Sequence, residues 1–154
     1  MDMSTILKPE AVRVLSGVSS KKRLFHELGG LVDTAYCIDS TDTIDALLER
    51  ESLGPTGVGH GVALPHARMA RVDRVMGAMI LLEKPVAFDS VDRQPVDLVF
   101  GLLAPEDAGV DHLKALALIS RTLKEQSICA KLRSNRNPNT LHTIMTEALP
   151  VKAA

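Results

Sequence analysis

Apolar positions recur along this chain with two alternating periods, and the alternation predicts an α/β fold in which helices sandwich a sheet. From Ser20 to Ala35, the residues Leu24, Phe25, Leu28, Leu31, Val32 and Ala35 share one helical stripe, which must lie on an apolar surface. Gly29 and Gly30 each cost that helix about 1 kcal/mol relative to alanine. A second helix is expected to start near Thr41 or Asp42, to turn Ile44, Leu47 and Leu48 inward, and to stop around Gly54 and Pro55. A glycine-rich turn from Gly54 to Gly61 then leads into Val62, Ala63 and Leu64. The runs from Val75 to Leu82 and from Val96 to Leu103 are apolar almost throughout, which predicts central strands covered on both faces. Pro85, Asp89 and Pro95 mark a turn-rich connector between them.

The last third reads as helical. One helix is predicted from Asp111 to Lys124, with Leu113, Leu116, Ala117 and Leu123 facing inward, and a short one around Ile128 to Leu132. The final helix has Asn137 as its cap and Pro138 in its first turn. Its stripe is Leu141, Ile144, Met145, Ala148 and Leu149, and Pro150 stops it.

Composition narrows the function classes. A chain of 154 residues can bury roughly 70% of its unfolded surface, so one domain spanning residues 1–154 is expected, needing neither disulfide nor metal to fold. With 18 basic residues, 19 acidic residues and 3% aromatics, it has neither the charge nor the stacking groups of a nucleic-acid binder. The apolar run from Val75 is far shorter than the ~20 residues that cross a bilayer, and Met1-Asp2-Met3-Ser4-Thr5 does not resemble a signal peptide. Cys37 and Cys129 belong to no CxxC pair and read as two reduced thiols rather than one disulfide. A soluble, cytoplasmic protein is expected.

The chemistry concentrates between Arg50 and Arg68. Glycines cost entropy on folding, so a run of them marks sharp turns or close approach to a ligand. No GxxxxGK[ST] is present, and no GxGxxG opens a helix, so ATP binding is not expected. His66 follows Pro65, which would hold the imidazole at a strand end. Near neutral pH an imidazole is largely unprotonated and can act as a nucleophile; the alternative is a histidine satisfied by a structural hydrogen bond. Arg50 has no acidic side chain at helical pairing distance, so it is either solvated or held for an anion, which a guanidinium grips with two donors at once. His112, read locally, is a solvated first-turn histidine, or a neutral imidazole able to donate an N–H to a phosphoryl oxygen. His26 and His142 read as surface positions. His60 and His66 lack the spacing of a helical zinc pair, so no metal is expected. The basic groups Lys21-Lys22-Arg23 and Arg121, Lys124, Lys131, Arg133, Arg136 read chiefly as solvated faces, the first also as a possible partner surface.

Together the residues point to a known family. "LERESLGPTGVGHGVALPHAR" resembles the active-site segment of the mannitol/fructose-class IIA domains of the bacterial phosphoenolpyruvate-dependent phosphotransferase system, closest to the nitrogen-type branch. "FDSVDRQPVDLVFGLLAP" and "DHLKALALISRTLK" extend the likeness over nearly the whole chain. The resemblance implies an α/β fold: a single domain with a mixed β-sheet flanked on both faces by α-helices. It implies His66 as the phosphorylated nucleophile, with Arg50 and the second histidine, His112, stabilising charge. Backbone N–H groups of Thr56, Gly57, Gly59 and Gly61 are further phosphate-binding candidates. The phosphoryl group would come from an upstream histidine phosphocarrier protein, in a scheme that calls for no nucleotide, cofactor or metal. The output would be nitrogen- or potassium-linked regulation of targets such as kinases or potassium transport components. A sugar-transport subunit handing phosphate to a IIB domain and an unmodified binding module are the alternatives. Two departures stand out: His60 replaces a common asparagine, and the loop before His112 is slightly short.

Overall fold

The computed structural model describes residues 1–147. The order of elements is α1 (Met3–Ile6), β1 (Leu7–Leu15), α2 (Lys21–Tyr36), α3 (Ser40–Ser52), β2 (Gly57–Gly59), β3 (Val62–Ala63), β4 (His66–Met69), β5 (Met76–Val86), β6 (Val96–Pro105), α4 (Val110–Lys124), α5 (Gln126–Arg133) and α6 (Pro138–Glu147). The strands form one six-stranded sheet in the order β1-β5-β6-β3-β2, with β4 also pairing with β6. It is mixed: β1 runs parallel to β5, β3 and β4 run parallel to β6, and β5 is antiparallel to β6.

The two apolar runs become the sheet's centre. Met76 to Leu82 and Leu98 to Ala104 are buried without a break, because helices cover both faces. Ala78 and Gly101 lie opposite one another, and the methyls of Leu28 on α2 sit over Gly101. The other face carries Phe100 and Gly77, which pack against Ile6 of α1, with α4 and α6 beside it. Pro85 lies inside the outer end of β5 rather than in the connector, where the ladder with β6 is already irregular. Asp89 does turn the connector, at φ 57°.

Three helix starts follow their caps. Ser20 accepts a hydrogen bond from the Arg23 N–H at 3.1 Å and opens α2. Asn137 accepts one from the Asn139 N–H at 2.9 Å and opens α6, whose expected positions Ala148, Leu149 and Pro150 lie outside the described residues. For α3 the cap is Asp39 rather than Thr41 or Asp42; its carboxylate accepts from the Asp42 N–H at 3.0 Å.

Two features depart from the periodicity. β1 gave no readable signal, because it is an edge strand with Pro9 inside it and a register break between Leu7 and Val12. Proline is tolerated there because an edge strand has one ladder unpaired. The second is α4, which buries His112, Ala115, Leu118, Ile119, Thr122 and Leu123, while Leu113 is 62% exposed and Ala117 is also on the outside. The helix is thus rotated from the stripe its leucines predict. Cys37 is exposed, Cys129 is buried, and both are free thiols.

Candidate active site

Pro65 lacks an N–H, so the strand that starts as β3 cannot continue its ladder without interruption. The chain bends at Leu64 and Pro65, and resumes as β4 beside the far end of β6, with His66 opposite Leu102. The Pro65 carbonyl still accepts from the Leu102 N–H at 2.9 Å, which fixes the bend. The His66 ring folds back so that Nδ1 lies 2.8 Å from the Leu64 carbonyl oxygen. A carbonyl only accepts, so Nδ1 carries the proton and Nε2 keeps its lone pair. The backbone therefore selects the tautomer that is nucleophilic at Nε2.

His112 is the third residue of α4 and is only 6% exposed. Its ring centroid lies 5.6 Å from that of His66, at 59° between planes. Burial holds its pKa below the usual histidine value, with the neighbouring His66 and Arg68 adding to the effect. His112 Nδ1 is sealed from solvent without a hydrogen-bond partner. A bare lone pair there costs less than an orphaned N–H, so the neutral ring places its proton on Nε2. The local reading of a solvated first-turn histidine is thus corrected: tertiary packing buries the side chain.

Arg50 stands near the C-terminal end of α3, half-buried, and one guanidinium nitrogen donates to the Gly54 carbonyl at 3.0 Å. Its other donors stay available, and among the described residues it makes no ion pair. Arg68, two positions after His66, shares its side of β4 by strand pleat and is exposed, 3.4 Å from the Glu106 carbonyl. Sequence reasoning quoted Arg68 but gave it no role; the i, i+2 spacing from His66 was the available signal. Arg50, His66, Arg68 and His112 share a groove of about 350 Å³, walled by Ala46, Leu53 and Ala67 and edged by Glu49. Such a groove offers one lone pair, one neutral N–H and two guanidinium groups, a set suited to a tetrahedral anion.

The glycine-rich turn lies elsewhere. The Thr56 N–H and hydroxyl are both taken by Glu51, and neither Thr56 nor Gly57, Gly59 or Gly61 lines the groove. Gly57 is needed because a Cβ there would collide with Ser90, and Gly59 and Gly61 because φ is +99° and +79°. His60 also has positive φ, 56°, and its N–H donates to Asp92 at 3.0 Å. It borders a separate cavity of about 750 Å³ that contains Cys129 and Arg133. His26 is exposed as expected. His142 is not a surface position: it is half-buried, with Nε2 2.9 Å from the Leu7 carbonyl. Four of the basic residues are likewise engaged: Lys21 with Glu51 at 2.8 Å, Arg133 with Asp97 at 2.9 Å, Arg136 with Glu83 at 3.1 Å and Arg23 with Glu27 at 3.8 Å. No helix among the described residues is long and apolar enough to cross a membrane.

Comparison with known proteins gives a consistent result. Residues 5–148 match the family described as "Phosphoenolpyruvate-dependent sugar phosphotransferase system, EIIA 2". A nitrogen regulatory protein of Bradyrhizobium diazoefficiens is 42% identical over 154 residues, covering 100% of this chain and 99% of that protein. A nitrogen regulatory protein of Klebsiella oxytoca is 37% identical over 149 residues, covering 96% of this chain and 92% of the other. The crystal structure of the nitrogen regulatory protein IIA-Ntr from Neisseria meningitidis superposes with a TM-score of 0.87 at 38% identity, covering 94% of this chain and 99% of that one.

Proposed function

The chain belongs to the EIIA 2 family of the phosphoenolpyruvate-dependent phosphotransferase system, and from that premise we propose that it is a regulatory phosphocarrier that accepts its phosphoryl group on His66. A phosphoryl-transfer role in general follows from the family. What carries the finer reading is the 2.8 Å contact of His66 Nδ1 with the Leu64 carbonyl, which leaves Nε2 free in a groove with two guanidinium groups and a neutral imidazole.

In the proposed step the Nε2 lone pair attacks phosphorus on a donor phosphohistidine. The N–P bond to the donor breaks, and its electron pair returns to the donor nitrogen. His66 keeps its Nδ1 proton throughout, and the Leu64 carbonyl supports the positive charge that develops on the ring. Arg50 holds the equatorial oxygens with two parallel donors, and His112 adds an N–H in a partly dehydrated site where each such bond counts for more. Transfer between two imidazole nitrogens is nearly isoenergetic, so the protein's task is alignment and charge stabilisation.

The donor needs a face on which to dock. Leu53 is 82% exposed at the groove wall, and Val110 and Leu113, at 61% and 62%, flank His112 on α4. These apolar side chains around a cationic groove support an upstream histidine phosphocarrier protein as the partner. The nitrogen-regulatory relatives support a regulatory output; the proposed form of that output is a change in which proteins the chain binds, and the proposed target classes are kinases and potassium transport components.

Incubation with phosphorylated carrier, followed by intact-mass measurement, tests the proposal. Wild type is expected to gain one phosphate and His66→Ala none while remaining folded; an undiminished gain in the variant overturns the assignment.

A further inference from the structure

We propose that Glu51 is a positioning residue for His66, acting through a continuous chain of hydrogen bonds. The inference rests on the phosphocarrier reading for its functional consequence, and on geometry alone for the chain itself. Glu51 occupies the last turn of α3 and is only 9% exposed. A buried carboxylate must be balanced by donors, and three converge on it. Lys21, the first residue of α2, places Nζ at 2.8 Å; the Thr56 N–H donates at 2.8 Å and the Thr56 hydroxyl at 2.5 Å. Lys21 is itself held, donating to the Phe88 carbonyl at 3.1 Å with its ammonium 4.4 Å from the centre of the Phe88 ring.

Thr56, gripped at its N–H and its hydroxyl, presents its carbonyl to the Leu64 N–H at 3.0 Å. Leu64, held in turn, presents its carbonyl to His66 Nδ1 at 2.8 Å. The buried ion pair is thus linked bond by bond to the nitrogen that sets the tautomer of the nucleophile. The same clamp restrains the loop on which Arg50 rests through the Gly54 carbonyl. Glu51 does not line the groove and touches neither His66 nor its phosphoryl group; it acts only through Thr56 and Leu64. In Glu51→Leu both carboxylate oxygens are lost, so Lys21, the Thr56 N–H and the Thr56 hydroxyl are left without their acceptor. The Thr56 carbonyl then loses its fixed direction, and the Leu64 carbonyl with it. The Nδ1–H tautomer of His66 loses its selection, and Nε2 is protonated in part of the population.

The test uses the intact chain, with two readouts. Imidazole ¹⁵N NMR reports the His66 tautomer without any donor. A single-turnover assay with phosphorylated carrier reports the rate. In Glu51→Leu and in Thr56→Val the His66 tautomer is expected to shift toward Nε2–H, with transfer slowed about tenfold to a hundredfold and its pH profile displaced. Thr56→Ser, which keeps the hydroxyl, is expected to match wild type in both readouts. Should Glu51→Leu fail to fold, Thr56→Val decides the question. A folded variant with a wild-type tautomer and a wild-type rate overturns the proposal. If wild type takes up no phosphate, the phosphocarrier reading fails, yet the tautomer shift still decides whether Glu51 orients His66.

Discussion

Gly29 and Gly30 are adjacent in α2, and the sequence treats them alike, but the structure predicts opposite outcomes for their replacement by alanine. A Cβ on Gly30 meets nothing within 4 Å. Gly30→Ala should therefore gain the full helix-propensity difference, about 1 kcal/mol, partly by restricting the unfolded chain. For a chain of this length that raises Tm by about 2–4 °C. A Cβ on Gly29 falls 2.6 Å from Ile44 Cγ1 and 2.9 Å from the Ser40 carbonyl oxygen, both on α3. The isoleucine can rotate, but the carbonyl belongs to the first turn of α3 and yields only if that helix moves. Overpacking of this kind costs about 1–3 kcal/mol, which cancels or exceeds the propensity gain. Gly29→Ala should therefore be neutral to about 2 kcal/mol destabilised, and the two variants should differ by roughly 1–3 kcal/mol. Urea titrations of wild type and both variants, with unchanged m-values, measure this directly. Equal stabilisation by both substitutions would refute the close packing of α2 on α3 that places Arg50.

Two further predictions follow from the groove. Arg50→Lys should leave the fold intact and slow phosphoryl transfer by roughly tenfold to a hundredfold, because an ammonium cannot make the two parallel contacts of a guanidinium; equal single-turnover rates would remove Arg50 from the step. His112 should make stability pH-dependent. Its folded pKa lies below the ordinary value of about 6.5, so as pH falls through that value the unfolded chain binds the proton first. Stability should be unaffected by this group above that range and should fall progressively below it, down to the folded pKa. His112→Asn should flatten this acid limb of the urea midpoint against pH, and an unchanged slope would show that the ring is not held neutral by burial.

Much of this was legible along the chain. The runs from Val75 and Val96 announced buried central strands, since a strand covered on both faces has no polar side to present. Asn137 marked a helix start, because a cap is satisfied by its own nearest neighbours. Arg50 and His66 stood out because a helical arginine without a partner and a histidine after a proline are local patterns. What tertiary structure decided was everything that depends on a distant neighbour. α4 turns His112 inward and leaves Leu113 outside, although leucine is the more apolar residue, because the helix packs against α1 and β6 with the His112 ring beside that of His66, and its phase follows from those contacts. Pro9 hid β1, whose existence rests on the ladder that β5 supplies. Glu51 carried no local signal; only the folded chain brings Lys21 and Thr56 to it and closes the path to His66. Periodicity records which side of an element is covered, whereas a site is made by which elements do the covering.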